Sequence, residues 1–151
     1  MLVVGVGNDL RGDDAVGLAV ARRVKESGCG ACVAMLVGDA ADLVELMRGE
    51  DGVAIVDAVA ASGCAGRVHR IDASIGWTGP RQPEGSTHAL GVAEAIALAR
   101  TLGYLPARVV VFGIEGVRFA VGDEMSREVR EAGEAVVNEV MKEVASSASR
   151  A

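Results

Sequence analysis

A single three-layer α/β domain is the fold this sequence predicts: a mostly parallel five-stranded sheet with helices on both faces and an antiparallel fourth strand. Three observations predict it. Near-continuous apolar runs at Met1–Val4, Ala31–Val37 and Gly52–Val56 alternate with segments whose apolar residues recur at helical spacing, the pattern of a βαβαβ chain around a buried sheet. The connection from Ala58 to Gly66 is too short for the helical crossover a parallel neighbour needs, so the strand after it runs antiparallel. Half of the 151 residues are apolar but only 3% are aromatic, which leaves a core of small and branched side chains suited to helices on a sheet.

The first strand runs into a turn at Gly5 and Gly7, which end it sharply. After Asn8 come Asp13 and Asp14, where the first helix begins. That helix runs from Asp14 to about Glu26, with Val16, Val20 and Val24 on one stripe, and Gly28 closes it. A carboxylate at a helix N-terminus is favoured by the partial positive charge there, so one of Asp13 and Asp14 is read as such a cap. Ala31–Val37 is the second strand. Gly38-Asp39 then turns the chain into a short helix with Leu43, Leu46 and Met47 on its apolar side, ended by Gly49. Gly52–Asp57 is the third strand, apolar throughout and therefore central, with a carboxylate at its C-terminal tip.

Arg67–Ile71 is the fourth strand, read as a sheet edge with one wet face, and His69 on it as a surface residue. Asp72–Gly85, which holds Gly76, Trp77, Gly79, Pro80 and Pro83, is a loop. Ser86-Thr87-His88 opens a third helix that reaches about Leu102 and buries Val92, Ile96 and Ala99. Arg108–Ile114 is the fifth strand. A final helix over Met125–Ala145 buries Val129, Ala132, Val136 and Val140, and Ser146–Ala151 is a frayed tail of the one domain, residues 1–151.

A net charge of −6 argues against nucleic acid or an anionic membrane surface as the main partner. No stretch reaches the roughly 18 apolar residues of a membrane span, and the first residues lack the basic flank and long apolar run of a signal peptide, so a cytoplasmic protein is expected. Three cysteines, Cys29 and Cys32 in a C-x-x-C spacing and Cys64 alone, do not make a disulfide framework. No second pair completes a zinc site.

The predicted topology has a geometric consequence. Parallel first and third strands end at the same edge of the sheet, which sets Asp14 just beyond one and Asp57 at the tip of the other. The loop Asp72–Gly85 spans up to about 45 Å at roughly 3.3 Å per residue, enough to return the chain to that edge and deliver His88 there. Open α/β sheets place their ligands at this edge. Two carboxylates and an imidazole there suit a borderline divalent metal with open coordination positions, or metal-free acid/base chemistry. Singly, each residue also has a structural reading, Asp14 as a cap, Asp57 as a solvated strand end and His88 as a polar residue at a helix start; convergence of the three is what argues for a site. Asp39 and Glu115 point to the same edge as possible substrate contacts, with a helix cap the equal alternative for Asp39.

Two other functions share some of these residues. A dinucleotide-binding module would use Gly5 and Gly7, but position 10 is Leu10 where its glycine motif needs Gly, and Asp13 and Asp14 would repel a pyrophosphate. A phospho-acceptor receiver domain would pair Asp13 and Asp14 with Asp57 as acceptor. The lysine such a domain needs at the end of the fifth strand is absent from Phe112-Gly113-Ile114-Glu115.

GVGNDLRGDDAVG at Gly5–Gly17, VDAV at Val56–Val59 and STHALG at Ser86–Gly91, with VVVFGIEG at Val109–Gly116 and GDEMS at Gly122–Ser126, together resemble the hydrogenase maturation endopeptidase family. The resemblance covers nearly the whole chain in order. It implies an enzyme that removes a C-terminal extension from the precursor of a nickel-iron hydrogenase large subunit after nickel insertion. It further implies that Asp14, Asp57 and His88 contact the metal, that the nickel is supplied by the precursor, and that no tightly bound intrinsic cofactor is expected. The chain departs from the family's pattern at Gly38-Asp39-Ala40-Ala41, where many members have a Gly-Gly-Thr-like segment, and at Gly116, where a proline is common.

Overall fold

The computed structural model describes residues 1–37, 40–60, 62–79 and 91–150. Its strands are β1 (Leu2–Gly7), β2 (Cys32–Val37), β3 (Gly52–Val59), β4 (Val68–Asp72) and β5 (Arg108–Glu115). The helices are α1 (Val16–Glu26), α2 (Ala41–Met47), α3 (Val92–Leu102) and α4 (Arg127–Ala148), and a 3-10 turn, Gly12–Ala15, leads into α1. The sheet order is β2-β1-β3-β5-β4. β1 pairs in parallel with β2 and β3, β3 pairs in parallel with β5, and β4 runs antiparallel to β5 at the edge, as the short Ala58–Gly66 connection requires.

Helices cover both faces. Leu2, Val4, Val6, Val53, Ile55, Val109 and Val111 pack with the buried faces of α2 and α3. Val3, Ala54, Val56, Val110, Phe112 and Ile114 pack with α1 and α4. Alternate residues of β1, β3 and β5 therefore enter opposite cores, which is why these strands read as nearly unbroken apolar runs. The helical stripes are buried as predicted, among them Val16, Val20 and Val24 of α1 and Val129, Val136 and Val140 of α4.

Several boundaries differ from expectation, among them the end of β3, which runs past Asp57 to Val59. β1 does not end at Gly5 but continues to Gly7, and Gly5 serves helix packing: a Cβ there would lie 2.3 Å from the Gly17 carbonyl oxygen of α1. Gly17 answers it, since a Cβ there would lie 2.3 Å from Val6 O and 2.4 Å from Val56 O. The pair brings α1 down onto the sheet where β1 and β3 end. The tail is also more ordered than expected: α4 reaches Ala148 because Val144 still packs on the core, and Ser149 N–H and Oγ both donate to Ala145 O. The first helix begins not at Asp14 but at Val16, the chain before it being wound as the tighter 3-10 turn. The predicted start of the third helix at Ser86 lies outside the described residues; what is described begins at Val92.

The direction in which successive strands are added to the sheet reverses between the parallel neighbours β1 and β3. From β1 the connection leads outward to β2, whereas from β3 it leads the other way, toward β4 and β5. The gap between the C-terminal ends of β1 and β3 is thus the switch point where ligands bind in open α/β sheets.

Candidate functional site

Asp14 and Asp57 meet at that switch point. Asp14 lies on the 3-10 turn, its N–H donating to Arg11 O at 3.1 Å and its carbonyl accepting from Asn8 N–H at 3.2 Å, so its backbone is held on both sides. Gly7 makes this possible, because a Cβ there would lie 1.9 Å from Asp14 O. Asp57 is on β3, 9% exposed, and faces the side of the sheet covered by α3. Burial pushes its carboxyl up to about 8, the nearby charge of Asp14 adds to the rise, and the Ala58 N–H opposes it. Two carboxylates close enough to repel and partly withdrawn from water favour a cation between them.

Beside Asp57 is a cavity of about 20 Å³, lined by Trp77, Val92, Ala93, Glu94 and Val111. It has room for about one water and none for a peptide, so a peptide substrate must approach from outside the sheet edge. Its lining shows that the first turn of α3 starts beside Asp57, so the chain does climb back to this edge after β4. Sequence reasoning passed over Trp77 and Glu94. Neither stands in a motif, and only their tertiary position sets them near the site.

His88 and Asp39 lie outside the described residues. Among the described residues, no group of three or more His, Cys, Asp or Glu side chains is placed to hold a metal ion. Asp14 and Asp57 supply two oxygen donors, which suits a cation that brings or finds further ligands.

Asp13 is fully buried and faces away from this pair. Its Oδ2 accepts from Val117 N–H at 2.8 Å and Arg118 N–H at 3.0 Å, and its Oδ1 from Ser126 N–H at 2.6 Å and Ser126 Oγ at 2.7 Å. Burial pushes this carboxyl up, but the four hydrogen bonds outweigh it and hold the group below its ordinary value. Asp13 does act as a cap, though not of its own helix: Ser126 is the N-cap residue of α4.

Glu115, read from the sequence as a possible substrate contact, is 1% exposed and engaged within the protein. Its Oε2 accepts from Ser62 Oγ at 2.6 Å, Ser62 N–H at 3.1 Å and Cys64 N–H at 3.3 Å, while its Oε1 lies 2.6 Å from His69 Nε2. The Ser62 and His69 hydrogen bonds hold its carboxyl down at about 2. This corrects the reading of His69 as a surface residue: its side chain is half-buried because the β4 register sets it opposite Gly113, within reach of Glu115. Glu115 thereby anchors the segment that follows the end of β3 at Val59. Cys29, Cys32 and Cys64 are free thiols.

The two rival functions fit less well in three dimensions. The turn after β1 is packed against the backbone of Asp14, which leaves no glycine cradle for a pyrophosphate. At the end of β5, where a receiver domain needs a cation, stands the carboxylate of Glu115.

A model of the hydrogenase maturation protease family matches residues 38–143. Sequence comparison with curated proteins gives no match. Among solved structures, the hydrogenase maturating endopeptidase HybD from Escherichia coli superposes with a TM-score of 0.77 at 21% identity, covering 97% of this chain and 92% of that one. The NiFe hydrogenase maturation protease HybD from Thermococcus kodakarensis gives 0.71 at 24%, covering 95% and 97%. HycI from Thermococcus kodakarensis KOD1 gives 0.65 at 24%, covering 93% and 89%. At these identities the structural likeness is one of fold. The family match carries the stronger statement, since it takes in most of the chain, including Asp57, His88 and Glu115.

Proposed function

This chain belongs to the hydrogenase maturation protease family, and from that premise we propose that it removes the C-terminal extension of a nickel-iron hydrogenase large-subunit precursor once nickel has been inserted. It is an endopeptidase, and hydrogenase large-subunit precursors are the class of protein it acts on. The observation that supports the finer reading is the pairing of Asp14 with Asp57 at the switch point, where the charge of one carboxylate raises the other. In this reading the cation is the precursor's nickel, Asp14, Asp57 and His88 contact it, and the protein carries no resident cofactor. Its place of action is the cytoplasm; among the described residues no helix is long and apolar enough to cross a membrane.

Hydrolysis adds water to the scissile carbonyl carbon and breaks the C–N bond, whose electrons pass to the nitrogen as it takes up a proton. Nickel held between the precursor and this protein would polarise the carbonyl or the attacking water. Asp14 and Asp57 would fix the precursor's metal, and hence the tail beside it, against the sheet edge; placing the reacting groups is itself a large part of a peptidase's work.

Asp14→Asn, Asp57→Asn and His88→Ala are each expected to slow tail removal by about 100-fold or more with the fold intact, measured on nickel-loaded precursor by the mass of the product. Full processing by any two of the three would overturn the assignment. Nickel-free precursor is expected to stay uncut, and equal cleavage of both forms would remove nickel from the mechanism.

A further inference from the structure

The sheet has two edges, and the chain treats them differently. β4, at one edge, carries His69, Arg70 and Asp72, and two of these are paired within the protein, His69 with Glu115 and Arg70 with Glu143. Charged side chains on an edge strand discourage pairing with a further chain. β2, at the other edge, reads Cys32-Val33-Ala34-Met35-Leu36-Val37, without a charge, a proline or a glycine. Met35 lies opposite Gly5, on the face that α1 covers; it is 40% exposed, and Val37, two residues on, is 68% exposed.

Among the described residues, β2 pairs with β1 alone. Only alternate residues of a parallel strand turn their N–H and C=O toward a given neighbour, so about half of the main-chain groups of β2 point outward. Outside the ladder with β1, no main-chain hydrogen bond among the described residues involves residues 32–37. A bare, apolar edge of this kind is a template for another strand. One edge blunted and the other left open points to a strand that completes the sheet on the β2 side.

That side is within reach of the aspartates. β2 runs parallel to β1 and β3 and ends at the same edge of the sheet: Val37 lies opposite Gly7, where a Cβ would lie 1.9 Å from Asp14 O. Neighbouring strands lie about 4.8 Å apart, which sets a strand added to β2 about 10 Å from β1 and about 14 Å from β3. About four extended residues, at roughly 3.3 Å each, bridge that distance. An endopeptidase acts on a polypeptide, and every polypeptide carries the N–H and C=O groups that match an open edge, whatever its side chains.

We infer that the outer edge of β2 pairs with an extended segment of the precursor close to the bond that is cut, which joins the sheet as a further strand. The inference rests on the peptidase reading above. Main-chain hydrogen bonds supply the affinity, and the segment's side chains that fall beside Met35 and Val37 are apolar.

The test compares wild type with the Met35→Lys, Val37→Lys double variant, which gives β2 the kind of charge that β4 carries. Val68→Lys, at a β4 position 40% exposed, is the control. Nickel-loaded precursor is the probe, and cleavage is read by product mass. The double variant is expected to raise KM by about tenfold, with kcat within about twofold and Tm unchanged, while Val68→Lys changes neither constant. Wild type, pulse-labelled in deuterated buffer directly after mixing with excess precursor, is expected to exchange the outward amides of residues 32–37 about tenfold more slowly than it does alone, with residues 68–72 unaffected. Precursor cut while residues 32–37 exchange as before, an unchanged KM in the double variant, or an equal rise in Val68→Lys would each overturn the edge site and leave the peptidase reading standing. Slow exchange at residues 32–37 in wild type alone that quickens on dilution would also overturn it, by assigning the edge to a second copy. Residues 32–37 protected by a precursor that stays uncut would overturn the peptidase reading alone, and a precursor neither cut nor protecting them would overturn both.

Discussion

Asp13 and Asp14 are adjacent in sequence and opposite in role. One carboxylate turns inward and meets four hydrogen-bond donors; the other stands at the switch point and places its charge beside Asp57. The raised Asp57 has a consequence for stability with a definite sign. Between its ordinary value of 3.8 and about 8, the folded chain keeps a proton that the unfolded chain has released, so this residue lowers stability progressively as pH rises through that window. Asp57→Asn, which keeps an acceptor for the Ala58 N–H, is therefore expected to stabilise the metal-free protein at pH 7.5 by on the order of 1 kcal/mol or more, with little gain at pH 4. Denaturant titrations at the two pH values check this, and a gain independent of pH would refute it.

At the scale of elements, the seating of α1 on the sheet positions Asp14, and it depends on Gly5 and Gly17. Gly17→Ala would drive a methyl group against two backbone oxygens that cannot step aside, Val6 O and Val56 O. A loss of roughly 3 kcal/mol or more is expected. Gly52→Ala is the contrast, since its Cβ meets the flexible end of Met1 at 3.3 Å and should cost less than about 1 kcal/mol. Thermal unfolding of the two variants measures the difference; equal Tm values would show that α1 can move outward, and with it Asp14. The helical stripes and the order of elements were legible from periodicity alone. The function of Gly5 was not, because a glycine before a turn and a glycine under a helix look alike until the partner helix is in place.

Across the whole molecule, three buried carboxylates tie α4 and the β4 edge to the rest. Asp13 joins the start of α1 to the loop before α4. Glu115 joins β5 to β4 and to the segment after β3, and Glu143 of α4 pairs with Arg70 of β4 and with Arg108 of β5, Arg108 Nη2 at 2.6 Å. All three are held below their ordinary values: Asp13 and Glu143 by hydrogen bonds that outweigh burial, Glu115 by those of Ser62 and His69. Their stabilisation is present above the unfolded carboxylate range and disappears as pH falls through the native values, for Glu115 from 4.5 down to about 2. Stability is thus expected to fall steeply below pH 4.5. In Glu115→Gln it should be lower at neutral pH and flatter across that window, as urea midpoints against pH would show; an unchanged slope would mean that the His69 pairing contributes nothing to the fold.

By itself, the sequence determined the βαβαβ opening, the antiparallel fourth strand, the two-faced core and the family, because these depend on periodicity, connection length and ordered motifs, all of which are local or linear. It also brought Asp14 and Asp57 to one edge, since parallel strands leave no other choice. Only the tertiary structure decided that Asp13 is buried against the loop before α4, that Glu115 and His69 bind each other, and that the backbones of Leu10 and Gly122 meet. Those outcomes depend on the register between β4 and β5 and on how closely two distant loops pack, and neither is written in the spacing of residues along the chain.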